Sequence, residues 1–186
     1  MFILTYSLSG NWAALALALK DMELKSKIAA AVLVQPPLSL KESATNLSNT
    51  WGGSIDWYLM EKSKKWALYD NMEYLKPLFK EKIGVDLEQF LANECFSASE
   101  WEFKLSYKFF EKDLESYFKN YSGLRRFNEI TVPTLVFFCE DDTIVNRSVV
   151  QPDTLIENPN VIVSWTKYGS HLCSHEHFVT TKQWIT

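Results

Sequence analysis

The sequence predicts an α/β fold: a parallel sheet of about four strands joined by helical crossovers, with a helical insertion between strands. Three observations carry this. A strand, a tight turn and an Ala/Leu-rich segment open the chain in "MFILTYSLSGNWAALALALK". The apolar run in "KIAAAVLVQPP" follows at crossover distance, and two further apolar runs, Leu135 to Cys139 and Val161 to Trp165, return late in the chain.

The elements follow in order. Phe2 to Leu4 reads as a strand, and the segment from Trp12 to about Leu24 as a helix, with Trp12, Leu15, Leu19 and Met22 on one face and alanines favouring helix between them. "KIAAAVLV" reads as a buried strand that stops at Pro36 and Pro37, because proline cannot continue a central ladder. Residues 38–127 are rich in aromatic and charged side chains at helical spacing, as in Ile55, Tyr58, Leu59 and Trp66. Breaks are expected at "NTWGGS", Pro77, Gly84 and "NECFSAS". Ser97 with Glu100, or Ser99 with Glu102, forms a capping box ahead of a helix carrying Trp101, Leu105 and Phe109. This insertion has the size of a lid, or of a structural helical layer. Leu135–Cys139 suits a strand covered on both faces, and a short helix from about Glu176 to Trp184 closes the layer. The whole, residues 1–186, reads as one domain.

Composition excludes several classes. With a net charge of -4 and basic residues interspersed with acidic ones, there is no concentrated basic surface for nucleic acid. Cys95, Cys139 and Cys173 cannot all pair within the chain and read as reduced thiols in an intracellular protein, cytoplasmic or membrane-associated. No basic n-region or cleavage site marks a secretory signal, and Asn11 interrupts the first apolar stretch well short of a membrane span. Seven Trp, eight Tyr and twelve Phe can fill a core or line an apolar pocket, and composition alone does not choose.

The chemistry lies in three residues. Serine needs a base to remove its proton, and the base needs an orienting group, usually a carboxylate. Ser7, Asp142 and His171 each follow a predicted strand, and open parallel sheets place their chemistry beyond the strands' carboxyl ends. His171, His175, His177 and Cys173 lack the spacing of a zinc site, so no metal is expected, nor any cofactor. "SLSGN" lacks the length and lysine of a phosphate loop, and Cys139 reads as core.

"TYSLSGN" resembles the "GFSLGGN" elbow of an esterase and lipase branch of the α/β hydrolases, which spans bacterial hydrolases, animal phospholipid-cleaving members and yeast ethyl-ester synthases. "AAVLVQPPLSL" is similar to the strand and proline turn after that elbow, "LRRFNEITVPTLVFFCEDDTIV" to the run into the acidic residue, and "YGSHLCS" to the Gly-Gly-His segment. The order serine, acid, histidine is also that of the family. The resemblance implies a partial α/β-hydrolase fold and a serine carboxylic-ester hydrolase. Ser7 is the nucleophile, His171 the base, Asp142 the orienting acid with Asp141 as the alternative, and the Leu8 backbone N–H an oxyanion donor. It implies a small-molecule ester or lipid as substrate and no nucleic acid; membrane-surface association and an oligomer that completes the sheet both stay open.

Two departures set the rival expectation. Thr5 and Ser9 stand where the family has glycines, in a strained turn where side chains crowd. The family also places several strands and a second oxyanion donor before the elbow, whereas Met1–Leu4 precede it here. An N-terminally truncated member is the expectation: a fragment of a longer product, a sheet completed by a partner, or a catalytically inactive remnant serving as an interaction or structural module.

Overall fold

The computed structural model describes residues 1–19, 23–145 and 157–171. The expected helix near Glu176–Trp184, together with Cys173, His175 and His177, lies outside them. The chain divides into two compact units, Met1–Ser43 with Lys119–Thr186, and Ala44–Phe118.

The first unit is built on a four-stranded parallel sheet in sequence order: β1 (Phe2–Tyr6), β2 (Ala30–Val34), β3 (Thr134–Cys139) and β4 (Val161–Thr166). Tyr6 pairs with Val34, Val34 with Phe137 and Phe137 with Ser164, so all four strands end on the same edge. Whatever follows each strand is therefore delivered to one rim. Helix α1 (Leu8–Ala18) makes the first crossover, and its inner side packs with Leu33, Val136, Phe138, Phe127 and Ile130 into one buried cluster.

Helix α1 departs from expectation at both ends. It starts at Leu8, directly off the turn at Ser7, and gives way at Leu19 to extended backbone. The buried face is Gly10, Asn11, Ala14, Leu17 and Ala18 rather than the Trp12, Leu15 and Leu19 stripe. Small residues decide this, because they let backbone approach. A Cβ on Gly10 would sit 2.7 Å from Pro36 Cβ, and one on Gly123 would sit 3.1 Å from Ala14 Cβ.

Asn11 uses that closeness. Its Nδ2 donates to the Tyr121 carbonyl at 2.9 Å and its Oδ1 accepts from the Gly123 N–H at 2.7 Å, fixing α1 to the chain that leads into β3. Asn11 is buried, so Asn11→Ala would strand a backbone donor and an acceptor away from water. The expected loss is about 2–4 kcal/mol of stability, measured as a lower urea midpoint with an unchanged slope.

On the other side of the sheet, several side chains are exposed among the described residues. Leu4, Val32, Leu135 and Ile162 share one row by register, and Ile162 is 69% and Leu135 36% exposed, so β3 is not covered on both faces among the described residues.

The second unit holds α3 (Ser54–Ser63), α4 (Met72–Ile83), α5 (Leu87–Asn93) and α6 (Ala98–Lys104); α2 (Leu40–Asn49) leads into it and α7 (Leu114–Tyr121) out of it. Its core gathers Met60, Phe79, Leu87, Phe90, Leu91, Cys95 and Leu105, with Trp101 and Phe109 against it. The aromatic surplus is thus split. Phe79, Phe90, Trp101 and Phe109 make edge and tilted ring contacts inside, while Trp51, Trp57 and Tyr74 are exposed.

Most expected breaks are present. Trp51, Gly52 and Gly53 all take positive φ, and Gly84 closes α4 at φ 72 with its N–H on the Lys80 carbonyl. Pro77 does not break α4; the helix runs through it because Met72, Leu75, Phe79 and Ile83 are held by the core, and tertiary packing outweighs the lost bond. Of the two capping boxes, Ser97 with Glu100 forms: Ser97 Oγ accepts from Glu100 N at 3.2 Å, and Glu100 Oε2 accepts from Phe96 N at 2.7 Å. Burial alone would raise the Glu100 carboxyl, but its bonds from Lys104 and Phe96 N outweigh that and hold it below the ordinary range. Ser99 instead bonds the buried Asp56 through both its N–H and its hydroxyl. Burial pushes the Cys95 thiol up to about 11, which keeps it neutral and makes it a core group. Among the described residues, no helix is long and apolar enough to cross a membrane.

Candidate active site

The rim where the strands end collects the three residues singled out above. Ser7 is the first residue past β1, Asp142 follows β3 after a short turn, and His171 follows β4. Ser7 Oγ lies 2.9 Å from His171 Nε2, and His171 Nδ1 lies 2.8 Å from Asp142 Oδ2. Residues 164 positions apart thus share one hydrogen-bonded line.

The proton positions follow from donor chemistry. A carboxylate only accepts, so His171 Nδ1 carries the ring proton toward Asp142, and Nε2 presents its lone pair to the Ser7 hydroxyl. The Asp142 side chain is fully buried, and its other oxygen accepts from the Ile144 and Val145 N–H groups at 2.7 and 2.9 Å. Those two bonds fix the carboxylate plane and leave Oδ2 aimed at the ring. His171 keeps 16% of its side chain exposed.

Ser7 itself is held in a turn that few non-glycine residues adopt, at φ 51 and ψ -131. Three bonds brace it: Ser7 N–H to the Val34 carbonyl at 2.9 Å, Gly10 N–H to the Ser7 carbonyl at 2.8 Å, and Ser9 Oγ to the Tyr6 carbonyl at 2.6 Å. The Ser9 hydroxyl also accepts from Tyr6 N at 3.2 Å, so a residue expected to crowd the turn ties it together. Thr5 belongs to β1, where β-branching suits extended backbone, and a Cβ on Gly10 would meet its Oγ1 at an ordinary 3.6 Å. Among the described residues that buried Oγ1 has no hydrogen-bond partner, a local cost.

Leu8 opens α1, so its N–H is among those that lack an acceptor within the helix, at the positive end of the helix dipole. It is the residue that directly follows Ser7.

The two aspartates have different surroundings. Asp142 faces the ring, whereas Asp141 accepts from the Gly169 and Ser170 N–H groups at 3.2 and 2.7 Å. One residue at this rim was not singled out from sequence. Gln35, the first residue past β2, is fully buried at φ 48 and donates through Nε2 to the Ser170 carbonyl. Among the described residues, no group of three His, Cys, Asp or Glu side chains is arranged to hold a metal ion.

No family model matches the sequence, and no curated protein matches it. Solved structures do. An esterase of Pyrococcus furiosus aligns over 93% of this chain and 46% of its own, at 18% identity and a TM-score of 0.45. Lipase A of Candida antarctica aligns over 92% of this chain and 44% of its own, at 15% identity and a TM-score of 0.50. An alpha/beta fold family hydrolase of Bacillus anthracis aligns over 91% and 60%, at 11% identity and a TM-score of 0.47. The chain therefore spans roughly half the length of the structures it matches. The likeness to lipase A concerns the fold: a four-stranded parallel sheet with helical crossovers is part of an α/β-hydrolase fold.

Proposed function

We propose that this chain carries the reactive centre of a serine carboxylic-ester hydrolase of the esterase and lipase kind, working through an acyl-enzyme on an apolar or lipid ester. The observation that supports it most is the unbroken line from Ser7 Oγ through His171 to the buried Asp142. The fold and the "TYSLSGN" motif agree with it, and the branch with the "GFSLGGN" elbow is the one we favour.

In this reading Ser7 Oγ bonds to the acyl carbon while its proton passes to His171 Nε2. The carbonyl pair becomes an oxyanion facing the Leu8 N–H, a kind of contact worth ~3 kcal/mol in the transition state. The carbon–oxygen bond to the alcohol then breaks, and the imidazolium returns its proton to the leaving oxygen. Water repeats the sequence on the acyl-serine, giving its proton to His171 and releasing the carboxylic acid with Ser7 restored. Asp142 holds the ring in the required tautomer and stabilises its charged form. The substrate would come from free ester or a membrane surface.

Stopped-flow hydrolysis of a p-nitrophenyl ester series tests this. A burst of nitrophenol matching the enzyme concentration, followed by slower turnover, is expected. A cooperatively folded protein with neither burst nor turnover on any acyl length would leave the inactive module as the better reading.

A further inference from the structure

We infer that Gln35 and Asp141 are positioning residues that clamp the loop carrying His171, and that the hydrogen-bonded line to Ser7 depends on them. The inference deepens the hydrolase reading and rests on it for its catalytic consequence.

The chain that brings His171 to the rim departs from β4 through Gly169 and Ser170, both at positive φ, 151 and 48. Nothing local favours that path, since serine at φ 48 is a cost that surrounding structure must offset. The offset comes from three bonds to the backbone of two adjacent residues. Asp141 takes the Gly169 and Ser170 N–H groups on its separate oxygens, and Gln35 Nε2 takes the Ser170 carbonyl. The clamp thus reads both faces of the residue immediately before His171, and a shift there moves the ring.

Each clamp member is itself fixed to the sheet. Gln35 has its own N–H on the Phe137 carbonyl at 2.7 Å and is fully buried. Asp141 is covalently next to Asp142, so the same turn after β3 supplies one carboxylate for the ring and another for the loop that presents it. Gln35, at positive φ directly past β2, thus ties the residue that follows β2 to the segment that follows β4. None of these three side-chain atoms touches substrate in the proposed mechanism, so neither residue is catalytic.

The experiment uses a readout that does not need turnover. A proton on His171 Nδ1 held by Asp142 gives a far-downfield imidazole resonance, assigned by its disappearance in His171→Gln. Asp141→Asn keeps one acceptor but sets an amide N–H against a backbone N–H, and Gln35→Met keeps length without the donor. Both should broaden or lose that resonance, with Asp142 intact, and should lower kcat about 10- to 100-fold at nearly unchanged KM, as expected for a small displacement of a reacting group. Asp141 is exposed, so its variant folds even where Gln35→Met does not. Retention of the resonance at full intensity in folded Asp141→Asn would overturn the clamp. An unaltered chain that shows the resonance but never hydrolyses an ester would overturn the hydrolase reading alone.

Discussion

Ser7→Ala is expected to lower kcat for ester hydrolysis by about 10⁶-fold while the protein stays folded. The size follows from chemistry: without Oγ no acyl-enzyme forms, and the His171 Nε2 lone pair has no hydroxyl to activate. The fold should tolerate the change because the bonds that brace the turn use the backbone of Ser7 and the side chain of Ser9, not the Ser7 hydroxyl. Positive φ at this position remains for alanine and is relieved for glycine. Ser7→Gly should thus be as inactive as Ser7→Ala yet more stable by about 1 kcal/mol, the sign of strain kept for a purpose. Thermal denaturation of the two variants measures that difference. A Ser7→Gly protein less stable than Ser7→Ala would remove the strain argument.

Asp142→Asn should lower kcat by about 10⁴-fold, a larger effect than any change at Asp141. The Ile144 and Val145 N–H groups need an acceptor, so the asparagine oxygen stays with them and its NH2 turns to His171 Nδ1. The ring must then accept at Nδ1 and carry its proton on Nε2, the tautomer that cannot take a proton from Ser7. The geometry is preserved and the chemistry fails, so KM for the ester should change little. Equal losses from Asp142→Asn and Asp141→Asn would contradict the division of roles between the neighbouring carboxylates.

The three residues that meet at the rim were legible because each follows an apolar run, and because serine, aspartate and histidine at such points have few structural uses. Parallel pairing was legible for the same reason: the runs are short, apolar and separated by crossover lengths. What escaped depended on size and backbone geometry. The stripe of Trp12, Leu15 and Leu19 looked like the packing face of α1, yet the close approach of Gly10, Ala14 and Ala18 to neighbouring chain outweighed it. Helix α1 begins at Leu8 because a strand, a single strained residue and a helix follow without a loop, a geometry that an apolar period does not encode. Gln35 was hidden in the apolar-run-then-proline pattern. Its signal was there, a long polar side chain at a strand's carboxyl end, the same position that singled out Ser7. Pro77 misled because its local cost is real, and only the core around Phe79 shows what offsets it.

We propose Ser7 as a nucleophile activated by His171. The most direct test is reaction of the folded protein with a fluorophosphonate, followed by peptide mass spectrometry. A single phosphonyl adduct is expected on the peptide containing Ser7, formed quickly in the unaltered protein and absent in His171→Gln. An unmodified Ser7 in folded protein, or labelling that persists unchanged without His171, would contradict it.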